Sequence, residues 1–183
     1  MAGPDLEQVL KTFWPAGPAA KSSVWAILDG ARDPCIFHLL LDSGLDYLCL
    51  YSGHLPRALQ LAAPYLVELP PDRPFARRLL EQAWGHSWGI FVSIKDSSNL
   101  RHHLRTFLRV RDEAGKFLLF RYYDPRVLRT YLPTCLPNEL KTVFGPISRY
   151  LVEDQDPQTL IEFTFDGSRL QDRRIRLQGK EGP

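Results

Sequence analysis

Cysteine is scarce in this chain, which has three: Cys35, Cys49 and Cys135. A low, odd number argues against a disulfide framework and fits a reducing compartment. Long apolar runs are missing too, because no stretch approaches the ~18 residues that a membrane-spanning helix needs. The start, MAGPDLEQVLKTFW, lacks the charged segment and apolar run of a signal peptide. We therefore expect a cytoplasmic protein without a membrane partner.

An excess of either charge is also missing. The chain has 23 basic and 21 acidic residues, a net charge of +2. Nucleic-acid binding needs a concentrated basic face, which this balance does not favour. The 44% hydrophobic and 24% charged fractions are typical of globular proteins and argue against global disorder. Arginine dominates the basic residues, and arginine is enriched at protein interfaces.

Apolar spacing and turn residues predict strands that alternate with short helices and then give way to hairpins. The predicted strands of the first half lie at 24–28, 47–51, 65–69 and 89–94. The predicted helices lie at 5–13, 34–43, 55–62, 75–85, 99–108, 125–132 and 138–144. We expect Asp33 and either Ser97 or Ser98 to cap two of these helices. The pattern predicts a mixed α/β (α+β) fold, with a central mixed sheet flanked by short helices and a C-terminal β-hairpin extension.

Two hairpins are predicted in the second half. One has strands at 107–112 and 116–123 around a Glu-Ala-Gly turn. The other spans 159–177, where Asp166-Gly167 favours a type I′ turn. A polar, turn-rich EDQDPQ segment suggests a boundary near residue 150. The predicted organisation is an N-terminal helix and linker, a core domain and a C-terminal extension, at 1–21, 22–150 and 151–183.

Four segments occur in an order that resembles a known family. They are WAILDGARDP (25–34), PYLVEL (64–69), WGIFVS (88–93) followed by LRHHLR (100–105), and FRYYDPRVL (120–128) followed by FGP (144–146). Together they resemble a bacterial domain-of-unknown-function family found beside type VI secretion spike and effector genes. Its members are called effector chaperones or adaptor proteins. The resemblance covers roughly residues 22–150, and FRYYDPRVL is its most distinctive part.

The resemblance implies a binding protein rather than an enzyme. Such an adaptor binds a toxic effector in the cytoplasm and delivers it to the spike protein or to the spike's tip protein. The family has no established catalytic residues, so neither a catalytic site nor a cofactor carries over. The resemblance further implies that the C-terminal region, here 151–183, selects the cargo.

Candidate partner-binding residues come from exposed arginine and tyrosine. Alternation along the predicted strand 116–123 places Arg121 and Tyr123 on one face, and Arg126 follows shortly after. Tyrosine and arginine are common binding hot spots. Asp124, between them, is better explained as the N-cap of the next helix.

Two further regions supply candidates. Arg32 lies in a loop after a strand, where ligand sites often form, although a structural turn pairing Asp29 with Arg32 also explains it. The last strand carries Arg173, Arg174 and Arg176. An open edge of this hairpin would allow an effector segment to add a strand.

Two other functions remain as alternatives. An enzyme or a zinc site would use Cys35, His38, Cys49 and His54. However, these cysteines fall in an apolar helix and within a strand, where a free thiol packs as a small hydrophobe. We expect no metal. A nucleic-acid site would use the basic stretch Arg101, His102, His103, Arg105, Arg109 and Arg111, for which a solvated face or a protein contact is the preferred interpretation.

Overall fold

A computed structural model describes residues 3–15, 22–72, 74–111 and 113–177. Parts of the predicted linker (16–21) and of the C-terminal extension (178–183) lie outside the described residues. The helices are α1 (Leu6–Phe13), α2 (Cys35–Leu41), α3 (Arg57–Leu61), α4 (Phe75–Ala83), α5 (Leu100–Thr106), α6 (Pro125–Tyr131) and α7 (Pro137–Phe144). The strands are β1 (Ser23–Asp29), β2 (Tyr47–Cys49), β3 (Pro64–Glu68), β4 (Gly89–Ile94), β5 (Arg109–Arg111), β6 (Phe117–Leu119), β7 (Ile147–Glu153), β8 (Thr159–Phe165) and β9 (Leu170–Arg176).

Seven of the strands form one sheet in the order β2-β3-β1-β4-β7-β8-β9, while β5 and β6 form a separate two-stranded ribbon. The α+β class and the C-terminal hairpin are confirmed. Where we expected a mixed sheet, each described pairing is antiparallel. The reason is the strand order: β3 and β4 run in the same direction, but β1 lies between them. The helical connection through α4 therefore joins parallel strands that are not neighbours.

Helices pack on both faces of the sheet, and successive strand residues point to opposite faces. On β1, Ala26 and Leu28 pack in a cluster with α1, α2 and α4, whereas Ile27 packs in a second cluster with α5, α6 and α7. The same alternation continues on β8, where Leu160 joins the first cluster and Ile161 the second. Strands β8 and β9, which belong to the predicted extension, thus continue the same sheet.

The loop after β1 packs tightly against the chain that enters β3. A Cβ atom at Gly30 would lie 2.5 Å from the carbonyl oxygen of Leu61 and 2.6 Å from that of Ala63. Real Cβ atoms do not approach so closely, so glycine is required for this packing. The close approach fixes the position of the residues that follow, including Arg32.

Three local predictions are wrong. The predicted strand 116–123 ends at Leu119, since the residues beyond it turn into the core. Neither Ser97 nor Ser98 caps α5, which begins after Asn99 without a side-chain cap. The turn between β8 and β9 contains the four residues between Phe165 and Leu170, not two. A type I′ turn needs two residues with positive φ, and in the described loop only Gly167 has one, at 96°.

Candidate partner-binding surfaces

A buried ion pair holds Arg121 at one end of the sheet. Asp29, the last residue of β1, is completely buried, and its Oδ2 accepts a hydrogen bond from Nη2 of Arg121. The Arg121 side chain remains 38% exposed. Its Nε is buried and has no hydrogen-bond acceptor among the described residues. Asp29 therefore orients a guanidinium group whose outer part faces solvent.

A second ion pair lies beside the first. Asp124 is buried, and its Oδ1 accepts a hydrogen bond from the backbone N–H of Arg126 at 3.0 Å, which confirms the predicted N-cap of α6. Nη2 of Arg126 also donates to Oδ2 of Asp124 at 2.6 Å. Burial alone would raise the pKa of Asp124, but the hydrogen bonds from Arg126 outweigh it and hold the pKa below its usual value. About half of the Arg126 side chain stays exposed.

Tyr123 is buried, whereas we expected it on an exposed face of a strand. It is 1% exposed, and Tyr122 beside it is 3% exposed. Both rings pack with α5 and α6, and the Tyr122 hydroxyl donates to the carbonyl oxygen of Leu104 at 2.8 Å. Burial raises the pKa of Tyr123, and a hydrogen bond with Tyr51 raises it further. The alternation used for the prediction does not apply here, because the strand has already ended.

Arg32 lies at the same end of the sheet. It is exposed, and its Nη2 donates to the carbonyl oxygen of His86 at 3.3 Å. The alternative of a structural turn pairing Asp29 with Arg32 is confirmed through the backbone, where the N–H of Arg32 donates to the carbonyl oxygen of Asp29 at 2.9 Å. The Asp29 carboxylate binds Arg121 and the backbone N–H of Ala31 instead. The structure thus brings Arg121 and Arg126 together and places Arg32 on a neighbouring loop.

The three arginines of β9 are already paired. Nη2 of Arg173 lies 2.5 Å from Oε2 of Glu162, and Nη1 of Arg176 lies 2.6 Å from Oδ2 of Asp156. Arg174 pairs with Asp154. These pairs join β9 to β8 and to the loop between β7 and β8. The arginine side chains remain largely exposed, but acidic neighbours balance their charges, so they form no uncompensated basic patch.

Glu153 joins this C-terminal part to the rest of the chain, and sequence reasoning missed it. Its carboxylate is buried and accepts hydrogen bonds from the backbone N–H groups of Gly85, at 2.5 Å, and Ser87, at 2.7 Å. The Ser87 backbone has a positive φ of 55°. Nearby, Nε1 of Trp84 donates to the carbonyl oxygen of Pro157 at 2.8 Å. Contacts thus cross the predicted boundary near residue 150.

The cysteines and histidines of the alternative enzyme site are dispersed. Cys35 and His38 are exposed on α2 rather than packed in the core. A hydrogen bond with Asp33 raises the pKa of the Cys35 thiol, and burial raises that of Cys49. Within the described ranges, no group of three or more histidine, cysteine, aspartate or glutamate side chains is arranged to hold a metal ion.

The predicted basic stretch does not form one face. Nε and Nη2 of Arg101 donate to the carbonyl oxygen of Cys49, at 3.1 and 2.9 Å, on the edge strand β2. The His103 ring is half-buried and lies 3.0 Å from the carbonyl oxygen of Val143. Burial lowers the pKa of His103. Arg105 and Arg109, in contrast, line a groove.

This groove was not anticipated from the sequence. It has a volume of about 540 Å³ and lies between the β5–β6 ribbon and the segment after β2, which contributes Leu50 and Leu55. Four apolar side chains of the ribbon are 39–56% exposed: Val110, Phe117, Leu118 and Leu119. The available signal was the run of four consecutive apolar residues from Phe117 to Phe120, because such a run is unusual on a surface without a partner.

The fold and these surfaces define a protein with an antiparallel α+β core, helices on both faces of the sheet, and exposed arginine and apolar side chains. The chain belongs to the DUF4123 family, described as a domain of unknown function, whose model matches residues 24–142. No curated protein and no solved structure matches the chain. Among the described helices, none has both the length and the apolar character needed to cross a bilayer.

Proposed function

We propose that this protein is a type VI secretion adaptor. It binds a cognate toxic effector in the cytoplasm and loads the effector onto the spike protein or the spike's tip protein. The observation that carries the proposal is the DUF4123 match over residues 24–142, because this range contains nearly all of the segments whose resemblance implies that role.

The surface of the protein supports a binding role. The β5–β6 ribbon exposes apolar side chains that a partner would bury. Arg121 and Arg126 are held by buried carboxylates while their outer atoms face solvent. Fixing a side chain before binding lowers the entropy cost of ordering it at an interface. These features suit contact with a protein surface.

The proposed role contains no catalytic step. A reactive cysteine acts as its thiolate, which a raised pKa disfavours at neutral pH. The pKa of Cys35 is raised by its hydrogen bond with Asp33, so this exposed thiol is poorly suited to nucleophilic attack. Because the proposed role needs no nucleophile, the protein should still bind its effector when Cys35 is replaced by serine.

Co-expression with the toxin and spike proteins encoded beside it tests the proposal. Size-exclusion chromatography with light scattering should show a stoichiometric complex, which the Cys35→Ser variant forms equally well. A toxin from an unrelated secretion cluster serves as the control and should elute separately. The proposal fails for these partners if the protein elutes alone from well-folded toxin and spike proteins.

Deleting the C-terminal extension is a poor test of cargo selection. Residues 151–183 contain the end of β7 together with β8 and β9, so deleting them would remove buried core residues such as Leu151, Val152 and Leu160 from the sheet. A loss of binding would then report unfolding rather than a lost contact. Point substitutions of exposed residues are preferable, since they leave the core intact.

A further inference from the structure

The β5–β6 ribbon exposes apolar side chains on both of its faces. Residues directly opposite each other share a face, so Phe117 and Leu119 lie on one face with Arg111 and Arg109. Leu118 lies on the other face, opposite Val110. A short two-stranded ribbon is only marginally stable by itself. Such a ribbon would gain stability from a partner that covers its apolar groups.

The ribbon's charged groups are basic on the face that carries Phe117. The guanidinium carbon of Arg111 lies 4.5 Å from the centre of the Phe117 ring, and that of Arg109 lies 5.8 Å from it. Among the described residues, the groove lining contains Arg105 and Arg109 but no acidic side chain. The groove therefore offers an apolar floor with positive charge beside it.

We infer that this groove binds a segment of the cargo effector in which apolar side chains alternate with or adjoin aspartate and glutamate. Charge complementarity selects the acidic residues, since the carboxylates would meet Arg105 and Arg109. The exposed apolar side chains select the apolar residues of the segment. Phe117 is 56% and Leu119 51% exposed, so the site is an open surface suited to a chain segment. The inference rests on the proposed function, because it takes the partner to be the effector.

Overlapping 15-residue peptides from the toxin encoded beside this protein identify the bound segment. Their binding to the full chain is measured by fluorescence anisotropy. Peptides that bind should contain Leu, Ile, Phe or Val together with Asp or Glu. The inference would be overturned if the peptides that bind were rich in lysine or arginine, or if only uncharged polar peptides bound.

Substitutions then place the peptide on the groove. The double variant Phe117→Ser/Leu119→Ser should weaken binding at least about 10-fold, as expected for central interface residues. Arg109→Glu should weaken binding at low salt, with a smaller effect at high salt. Matched controls are Leu136→Ser, an apolar side chain 62% exposed outside the groove lining, and Arg78→Glu, an exposed arginine on α4. Both control variants should bind the peptide with an affinity within about two-fold of the wild type, because neither side chain lines the groove.

The outcomes separate this inference from the proposed function. If the wild type binds the whole effector and the groove variants bind it equally well, the groove is not the site, although the adaptor function stands. If the wild type binds no effector, both fail. Because the substituted side chains are exposed, the melting temperatures should stay within about 2 °C of the wild type, so lost binding would not reflect unfolding.

Discussion

The two hairpins of this protein differ in how they are held. The β8–β9 hairpin has seven-residue strands that extend the main sheet, and the three arginines of β9 are ion-paired. The β5–β6 ribbon has three-residue strands outside that sheet, and it exposes Phe117, Leu118 and Leu119. From the sequence, the arginines of β9 were candidates for binding, whereas no binding role was expected for Phe117, Leu118 and Leu119.

The difference shows that a type of residue indicates a binding surface only when the groups around that residue within the fold are known. Arg173 and Arg176 meet carboxylates from β8 and the preceding loop, so their charge is used within the fold. Phe117 lies against two arginine side chains and remains 56% exposed. A binding surface is therefore better identified by unsatisfied groups, here exposed apolar atoms, than by the abundance of one residue type.

The largest expected effect compares one phenylalanine from each hairpin. Phe163 of β8 is 3% exposed, whereas Phe117 is 56% exposed. Replacing Phe163 with alanine should lower the free energy of unfolding by about 3–5 kcal/mol, through lost burial and a cavity. Phe117→Ala should lower it by less than about 1 kcal/mol, mainly from the lost arginine contact. Urea denaturation of both variants measures this, and equal losses would mean that the ribbon belongs to the core.

A smaller effect concerns the carboxylate shared by two arginines. Glu162 is buried and pairs with Arg149, whose side chain is 12% exposed, and with Arg173, whose side chain is 67% exposed. Glu162→Ala should cost about 3 kcal/mol, the lower end for breaking a buried pair, because Arg149 retains the carbonyl oxygens of Thr12 and Phe13 as acceptors.

Arg173→Ala is the matched control for that change. It removes only the exposed partner and should cost less than about 1 kcal/mol in the same denaturation experiment. If both substitutions lower the free energy of unfolding equally, Arg173 contributes as much as a buried group. The ion pairs of β9 would then stabilise it more than its pairing in the sheet does.

Much of the secondary structure could be predicted, since it depends on local patterns. Helix α1 follows from the spacing of its apolar residues, and the start of α6 from Asp124-Pro125. The strand order could not be predicted, because pairing partners are set by contacts between distant segments. Asp29 and Arg121 are 92 residues apart, and nothing in the loop around Asp29 indicates that its carboxylate pairs with Arg121.

The candidate site was predicted only in part, for the same reason. Arg121 and Arg126 do lie together with exposed guanidinium groups, as their closeness in sequence suggested. Tyr123 was wrongly placed on an exposed strand face because β6 ends at Leu119, and the end of a strand depends on where its pairing with the neighbouring strand stops. The groove was missed because β5 and β6 were expected to be longer, and a longer strand would have continued into the core.

The smallest expected effect is in the loop of the β8–β9 hairpin. Hydrogen bonds from the Ser168 side chain, the backbone N–H groups of Arg169 and Ser168, and the Gln171 side chain hold the pKa of Asp166 well below its usual value. A lowered pKa in the folded state means that Asp166 stabilises the loop above the unfolded pKa of about 3.9, and that this contribution is lost as the pH falls through the folded pKa. An NMR titration should therefore give Asp166 a midpoint below about 3.9. Ser168→Ala should raise that midpoint, while the midpoint of Asp96, which contacts Ser98 instead, stays unchanged. An ordinary midpoint for Asp166 in the wild type would mean that these contacts do not persist in solution, and the loop of this hairpin would then be no better held than the exposed ribbon.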